Sequence, residues 1–259
     1  MTMMEDVPMD ASILPGQQKQ QVPIWNAQKA IVHKSFNHGW FYHYNIHGKK
    51  AHDLCAARPV LSGLGEYLYD VFEHCPQEPF VTGPRSSKVR STIPVTLARI
   101  EGHEVSALAR EGLVQGRFRT AHMNVQMWML QHDAKTVSIE TPLWLEQGED
   151  AAVQDFLGVE GPLSGHIDAL RIEDDKVWIW DYKPKAAKEK YAALQTYLYA
   201  LMLSWRAKIP LEQMRCGYFD EEVAFVFEPV RSFLDRPVPL SAAPAPSPAP
   251  AGSAVGSLR

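Results

Sequence analysis

Hydrophobic positions change their period along the chain, and each change marks an element. From Val95 to Val114, the apolar residues Val95, Ala98, Val105, Leu108 and Leu113 share one helical face, which predicts an amphipathic helix as the first element of a core. Thr136 to Leu145 (TVSIETPLWL) carries the β-branched and aromatic residues of a strand. Leu163 to Ile172 (LSGHIDALRI) and Lys176 to Lys183 (KVWIWDYK) predict two further strands joined by a tight acidic turn. Lys188 to Arg206 predicts a strong helix bounded by Pro184 and Pro210, and Met214 to Tyr218 and Val223 to Phe227 predict a closing strand pair. The order helix, three strands, helix, strands (α-β-β-β-α-β) is that of an α/β protein with a mixed central sheet flanked by helices.

Outside that pattern the ends differ from the middle. Residues 1–22 form a polar leader and residues 237–259 a tail rich in Pro and Ala; both are expected to be disordered. Residues 23–93 mix aromatic and His positions, with a helical run from Gly63 to Cys75, and are expected to pack on or cap a core spanning residues 94–236. No internal repeat is present.

Composition narrows the classes. An apolar share of 46% and a charged share of 22% are those of a folded, soluble chain. The net charge of −4 gives no global attraction for nucleic acid, so any such affinity must be local. Basic residues do cluster, as Arg85, Lys88 and Arg90, as Arg110, Arg117 and Arg119, and as Lys183, Lys185, Lys188 and Lys190. Three cysteines without CxxC spacing argue against a disulfide framework and suit a reducing compartment. With no apolar stretch near the length of a membrane span and no signal-peptide core, the chain is expected to be cytoplasmic and free of the membrane.

The acidic turn permits a geometric test. If Asp174 and Asp175 form a two-residue hairpin loop, Glu173 faces Lys176, and counting back sets Asp168 directly opposite Asp181. Opposed residues have Cβ atoms roughly 4.5–5.5 Å apart on one face, close enough for two carboxylates to share a cation. Lys183, two residues past Asp181, points to the same face. Both parities of these strands are apolar, which predicts strands covered on both faces. Without a ligand, two carboxylates this close would force one to hold a proton, whereas a divalent cation keeps both ionised. Gln195 and Tyr199, spaced i and i+4, share a helical face with Tyr191, while Leu194, Leu198, Leu201 and Trp205 form the apolar stripe.

Taken in order, Gly165-His166-Ile167-Asp168, Trp180-Asp181-Tyr182-Lys183 and Gln195 to Tyr199 resemble the GxxD, DxK and QxxxY signatures of the RecB-like branch of PD-(D/E)XK nucleases, over roughly Val95 to Phe227. The resemblance implies a restriction-endonuclease-like core and a Mg²⁺- or Mn²⁺-dependent deoxyribonuclease. The role it implies is an exonuclease in recombination, repair, phage replication or CRISPR adaptation. It implies Asp168, Asp181 and the carbonyl of Tyr182 as metal ligands, Lys183 as the group that orients water or steadies phosphate charge, and Gln195 and Tyr199 beside the site. Glu140 matches a position often acidic in relatives and is expected to support the site from behind; His166 flanks it or packs.

Relatives commonly carry GxxxH on the first core helix. Here Gly102 is followed four places later by Ser106, which leaves His103, or its neighbour Glu104, as the expected helix ligand. Three cysteines cannot hold a four-thiolate iron–sulfur cluster, so none is expected. The implied partners are DNA, as single strands or duplex ends, and a recombination or CRISPR-associated protein. The alternative reading is a non-catalytic nucleic-acid-binding subunit that keeps the nuclease fold.

Overall fold

The computed structural model describes residues 30–158 and 160–235; the expected leader and tail lie outside the described residues. In chain order, the hairpin β1 (Ile31–Asn37) and β2 (Phe41–His47) is followed by α1 (Gly48–Ala56), α2 (Ser62–His74) and α3 (Glu78–Thr82). Next come β3 (Ala98–Glu101), α4 (Glu104–Gln115), α5 (Ala121–His132), β4 (Thr136–Leu145) and α6 (Ala151–Leu157). The hairpin β5 (Leu163–Glu173) and β6 (Lys176–Tyr182), α7 (Ala192–Ala207), β7 (Met214–Phe219) and β8 (Val223–Phe227) complete the fold.

All eight strands join one sheet in the order β1-β2-β4-β5-β6-β7-β8-β3. Only β6 and β7 run parallel, and a parallel pair needs a crossover, which α7 supplies. The central strands read apolar on both parities because both faces are covered. Leu170, Ile172, Val177 and Ile179 pack with Leu194, Leu198 and Leu201 of α7, whereas Ala169 and Trp180 pack with Val105, Ala109, Val125 and Met129 of α4 and α5. This is the mixed α/β sheet of a restriction-endonuclease-like core, with β1 and β2 added at one edge.

One expected element is divided. The helix predicted over Val95 to Val114 is a strand, β3, followed by the shorter helix α4. Gly102 takes φ +68°, a left-handed turn that stops the strand, and His103 caps α4 by accepting a hydrogen bond from the Val105 amide at 3.2 Å. Val95 and Ala98 fit a helical period, but β8 offers an unpaired edge, and Ala98 to Glu101 close it in register with Val226 to Val223. Two smaller corrections concern α7. It begins at Ala192 rather than Lys188, behind a 3₁₀ turn at Ala186–Lys188, and Trp205 is 38% exposed instead of completing the apolar stripe.

Among the described residues, no helix is long and apolar enough to cross a membrane. Cys55, Cys75 and Cys216 are free thiols.

Candidate active site

Asp174 and Asp175 both adopt left-handed backbone, φ +49° and +58°, as a two-residue type I′ loop requires. The hairpin then pairs from Glu173↔Lys176 to Ala169↔Trp180, so Asp168 and Asp181 occupy the next row. On the other side of β5, Ile139 pairs with Ala169 and Thr141 with Ile167, which sets Glu140 across from Asp168. Three carboxylates from three neighbouring strands thus cross the sheet in one row. Glu140 is turned to join it by a left-handed φ of +50°, a conformation that costs a non-glycine residue about 1 kcal/mol or more.

All three acids line one cavity of about 180 Å³ with Lys183, Gln195, Tyr199, Gly165 and His166. Asp181 is 1% exposed, and burial, assisted by the charge of Asp168, pushes its carboxyl well above the ordinary range despite the opposing pull of Lys183. Glu140 is raised for the same reasons, burial first and then Asp168. Lys183 lies 2.5 Å from Asp181; burial alone would lower its ammonium, but Asp181 and Asp168 outweigh it and hold the group above the usual lysine range. Its backbone amide donates to the Phe219 carbonyl at 2.8 Å, continuing the parallel pairing one residue past β6.

Neighbouring groups fix the acids. Gln195 donates to Asp181 at 3.0 Å and lies 2.8 Å from the Tyr199 hydroxyl, so the helix spacing read from sequence reaches the carboxylate row. Gly165 explains its own position, because a Cβ there would lie 2.3 Å from the Tyr199 ring. Asp168 accepts from the amide of Tyr182 at 2.8 Å. Helix α5 contributes a second i, i+4 pair that sequence reasoning missed: His122 comes within 3.9 Å of Asp168, and Gln126 donates to Glu140 at 2.7 Å.

His103 does not reach the cavity. Its ring lies 5.1 Å from Trp180, on the face of β6 opposite Asp181, because Trp180 and Asp181 are successive residues of one strand. The expectation followed from treating residues 95–114 as the first core helix; the helix that brings a histidine to the acids is α5. Of the far wall, only His166 was expected beside the site. Tyr42 stacks on His166 at 3.7 Å and is held by Arg85, while His166 bonds to His38 at 2.9 Å; burial keeps both imidazoles neutral by lowering them far below their ordinary value. For Tyr42, Arg85 and His38, the one sequence signal was the clustering of Arg85, Lys88 and Arg90. A second hollow of about 450 Å³ continues from the cavity past Arg90, Lys188, Glu189, Lys190 and Tyr191, sharing Ser87, Lys183 and Gln195 with it.

With that geometry in view, the family model described as the PD-(D/E)XK nuclease superfamily matches residues 40–236. The chain belongs to the PD-(D/E)XK nuclease superfamily. The match reaches well beyond the three short motifs, taking in β2, the Arg85 wall and α5. No curated protein matches the chain. PD-(D/E)XK proteins are nucleases that generally use divalent metals such as Mg²⁺, and their substrate is nucleic acid.

The residues of this PD-(D/E)XK site fit such an ion. Asp181 is buried with one oxygen ion-paired to Lys183, and burial together with the charge of Asp168 raises both Glu140 and Asp181, so a further cation at the row would favour their ionised forms. Among the described residues, no three His, Cys, Asp or Glu side chains already close around a metal-sized point.

Proposed function

We propose that this chain is a Mg²⁺- or Mn²⁺-dependent deoxyribonuclease of the RecB-like branch, an exonuclease acting on single strands or duplex ends in recombination, repair, phage replication or CRISPR adaptation. The observation that carries the reading is the row Glu140, Asp168 and Asp181, closed at one end by Lys183. In it Asp168, Asp181 and the Tyr182 carbonyl would hold the ion, with His122 in the helix-borne place first expected of His103. When bound, the ion would supply Lewis acidity toward the phosphate and a water of lowered pKa.

The protein's own groups do the rest. Lys183, kept protonated by its acid neighbours, presents a fixed donor to the attacking water or to the phosphate oxygen that gains charge as the P–O bond breaks. Gln195 holds one Asp181 oxygen and Lys183 the other, which fixes the orientation of the carboxylate in the cavity. Glu140, bound to Gln126, supports Asp168 from the adjacent strand. Free thiols favour a reducing, cytoplasmic setting.

The test is hydrolysis of end-labelled DNA with added Mg²⁺ or Mn²⁺. Asp181→Ala and Lys183→Ala chains that stay folded should lose cleavage by ~10²- to 10³-fold, for Lys183 the scale of a lost transition-state donor. Full activity in either removes this mechanism and favours a non-catalytic binding subunit.

A further inference from the structure

Behind the carboxylate row, on the α5 side of the sheet, lies a pocket of about 620 Å³ lined by Trp40, Phe41, His43, Phe118, Arg119 and Met123 among others. Its size is that of a small-molecule site. Three of its aromatic rings are left to water: Trp40 is 76% exposed, Phe41 64% and Phe118 38%. Aromatic side chains of this size are normally buried, so a cluster of them in the open marks a contact surface.

The surroundings select its occupant. The pocket and the proposed active site are built on the same two elements: Phe41 is followed on β2 by Tyr42, which lines the acid cavity, and Met123 is preceded on α5 by His122, 3.9 Å from Asp168. No carboxylate lines it, and Phe118 stands between Arg117 and Arg119, both exposed. Open rings flanked by arginines, beside a phosphodiester-cleaving centre, match a strand whose bases stack on aromatic faces while its phosphates meet cations. A paired base has both faces already covered by its neighbours in the duplex, so only unpaired bases could enter.

We propose that Trp40, Phe41 and Phe118 bind unpaired nucleobases of a single strand next to the scissile bond; this rests on the nuclease reading above. On the opposite side of the acids, the hollow bearing Arg90, Lys188 and Lys190 takes the phosphates of the same strand.

The test measures binding of a labelled oligothymidylate of about 15 nucleotides, and of a blunt duplex of the same length, by fluorescence anisotropy in EDTA. The Trp40→Ala/Phe118→Ala chain, whose changes are at the surface, should keep its thermal midpoint. It should bind oligothymidylate ~10- to 100-fold more weakly and the duplex within about twofold of the wild type. Trp40→Phe, which keeps a stacking face, should recover most of the loss. Unchanged oligothymidylate affinity in the double variant overturns the base site alone. So does equal weakening for both nucleic acids, or a loss of self-association by sedimentation without a loss of binding, which would make a second copy of the chain the occupant. A wild-type chain that binds neither nucleic acid overturns the nuclease reading together with it.

Discussion

Gly165 and Tyr199 are in such close contact that the strand bearing Asp168 and the helix bearing Gln195 are held together across a space with no room for one methyl group, the Cβ position lying 2.3 Å from the tyrosine ring. The glycine of the GxxD signature therefore sets the distance between the acids and the residues that orient them. Gly165→Ala should destabilise the fold by about 1–3 kcal/mol, the usual cost of overpacking, read by denaturant unfolding. It should also lower kcat, because Tyr199 moves and Gln195 moves with it. Pairing it with Tyr199→Leu should return most of the stability; strictly additive losses would show that the two residues do not meet.

Gln195 touches Asp181 and Tyr199 and nothing that reacts. Gln195→Leu should lower kcat by ~10- to 100-fold, the usual effect of removing a partner that orients a metal-binding carboxylate. KM should stay near the wild-type value, and Gln195→Glu should not restore the rate, since it adds a fourth charge to the row. An equal fall in affinity for DNA would instead make Gln195 a substrate contact.

Divalent metal should stabilise the protein in the absence of DNA. Mn²⁺ at a hundred times its Kd should add about 2.7 kcal/mol, visible as a rise in Tm by differential scanning calorimetry and reversed by EDTA. Asp168→Asn should abolish that rise. Without metal, Glu140→Gln should melt above the wild type, because it removes a carboxylate that burial and the neighbouring charge of Asp168 disfavour. A metal-independent Tm in the wild type would remove the cation from the site.

Acid should loosen the fold through a cluster that lies three residues along β5 from Asp168, on the opposite face of the sheet. The fully buried guanidinium of Arg171 meets Asp133 at 2.8 Å, Glu104 at 2.6 Å and Glu173 at 3.1 Å. Burial alone would raise the Asp133 and Glu104 carboxyls, but Arg171 and, for Glu104, Lys135 hold both below their ordinary values of 3.8 and 4.5. Depressed folded-state values stabilise the protein above the ordinary values, and this contribution disappears as pH falls through the lowered ones. Urea midpoints should therefore be level near neutrality and drop from about pH 5 downward. Arg171→Met should cost about 3–5 kcal/mol at neutral pH, since it leaves Asp133 buried without its counter-charge. An equally steep acid loss in that variant would assign the effect to other carboxylates.

The β5–β6 hairpin, with Asp168 and Asp181 opposed in one row on adjacent strands, was legible in the amino-acid sequence, because a two-residue loop fixes strand register locally and a side-chain period of two then fixes the face. The i, i+4 pair on α7 was legible for the same kind of reason, a short-range period. Only the tertiary structure decided that Ala98 to Glu101 pair with β8, that His122 rather than His103 approaches the acids, that Glu140 turns left-handed into their row, and that Tyr42 and Arg85 close the cavity. Those choices depend on which distant edge needs a partner and which helix packs on which face, and such contacts between residues far apart in the chain leave no period along it.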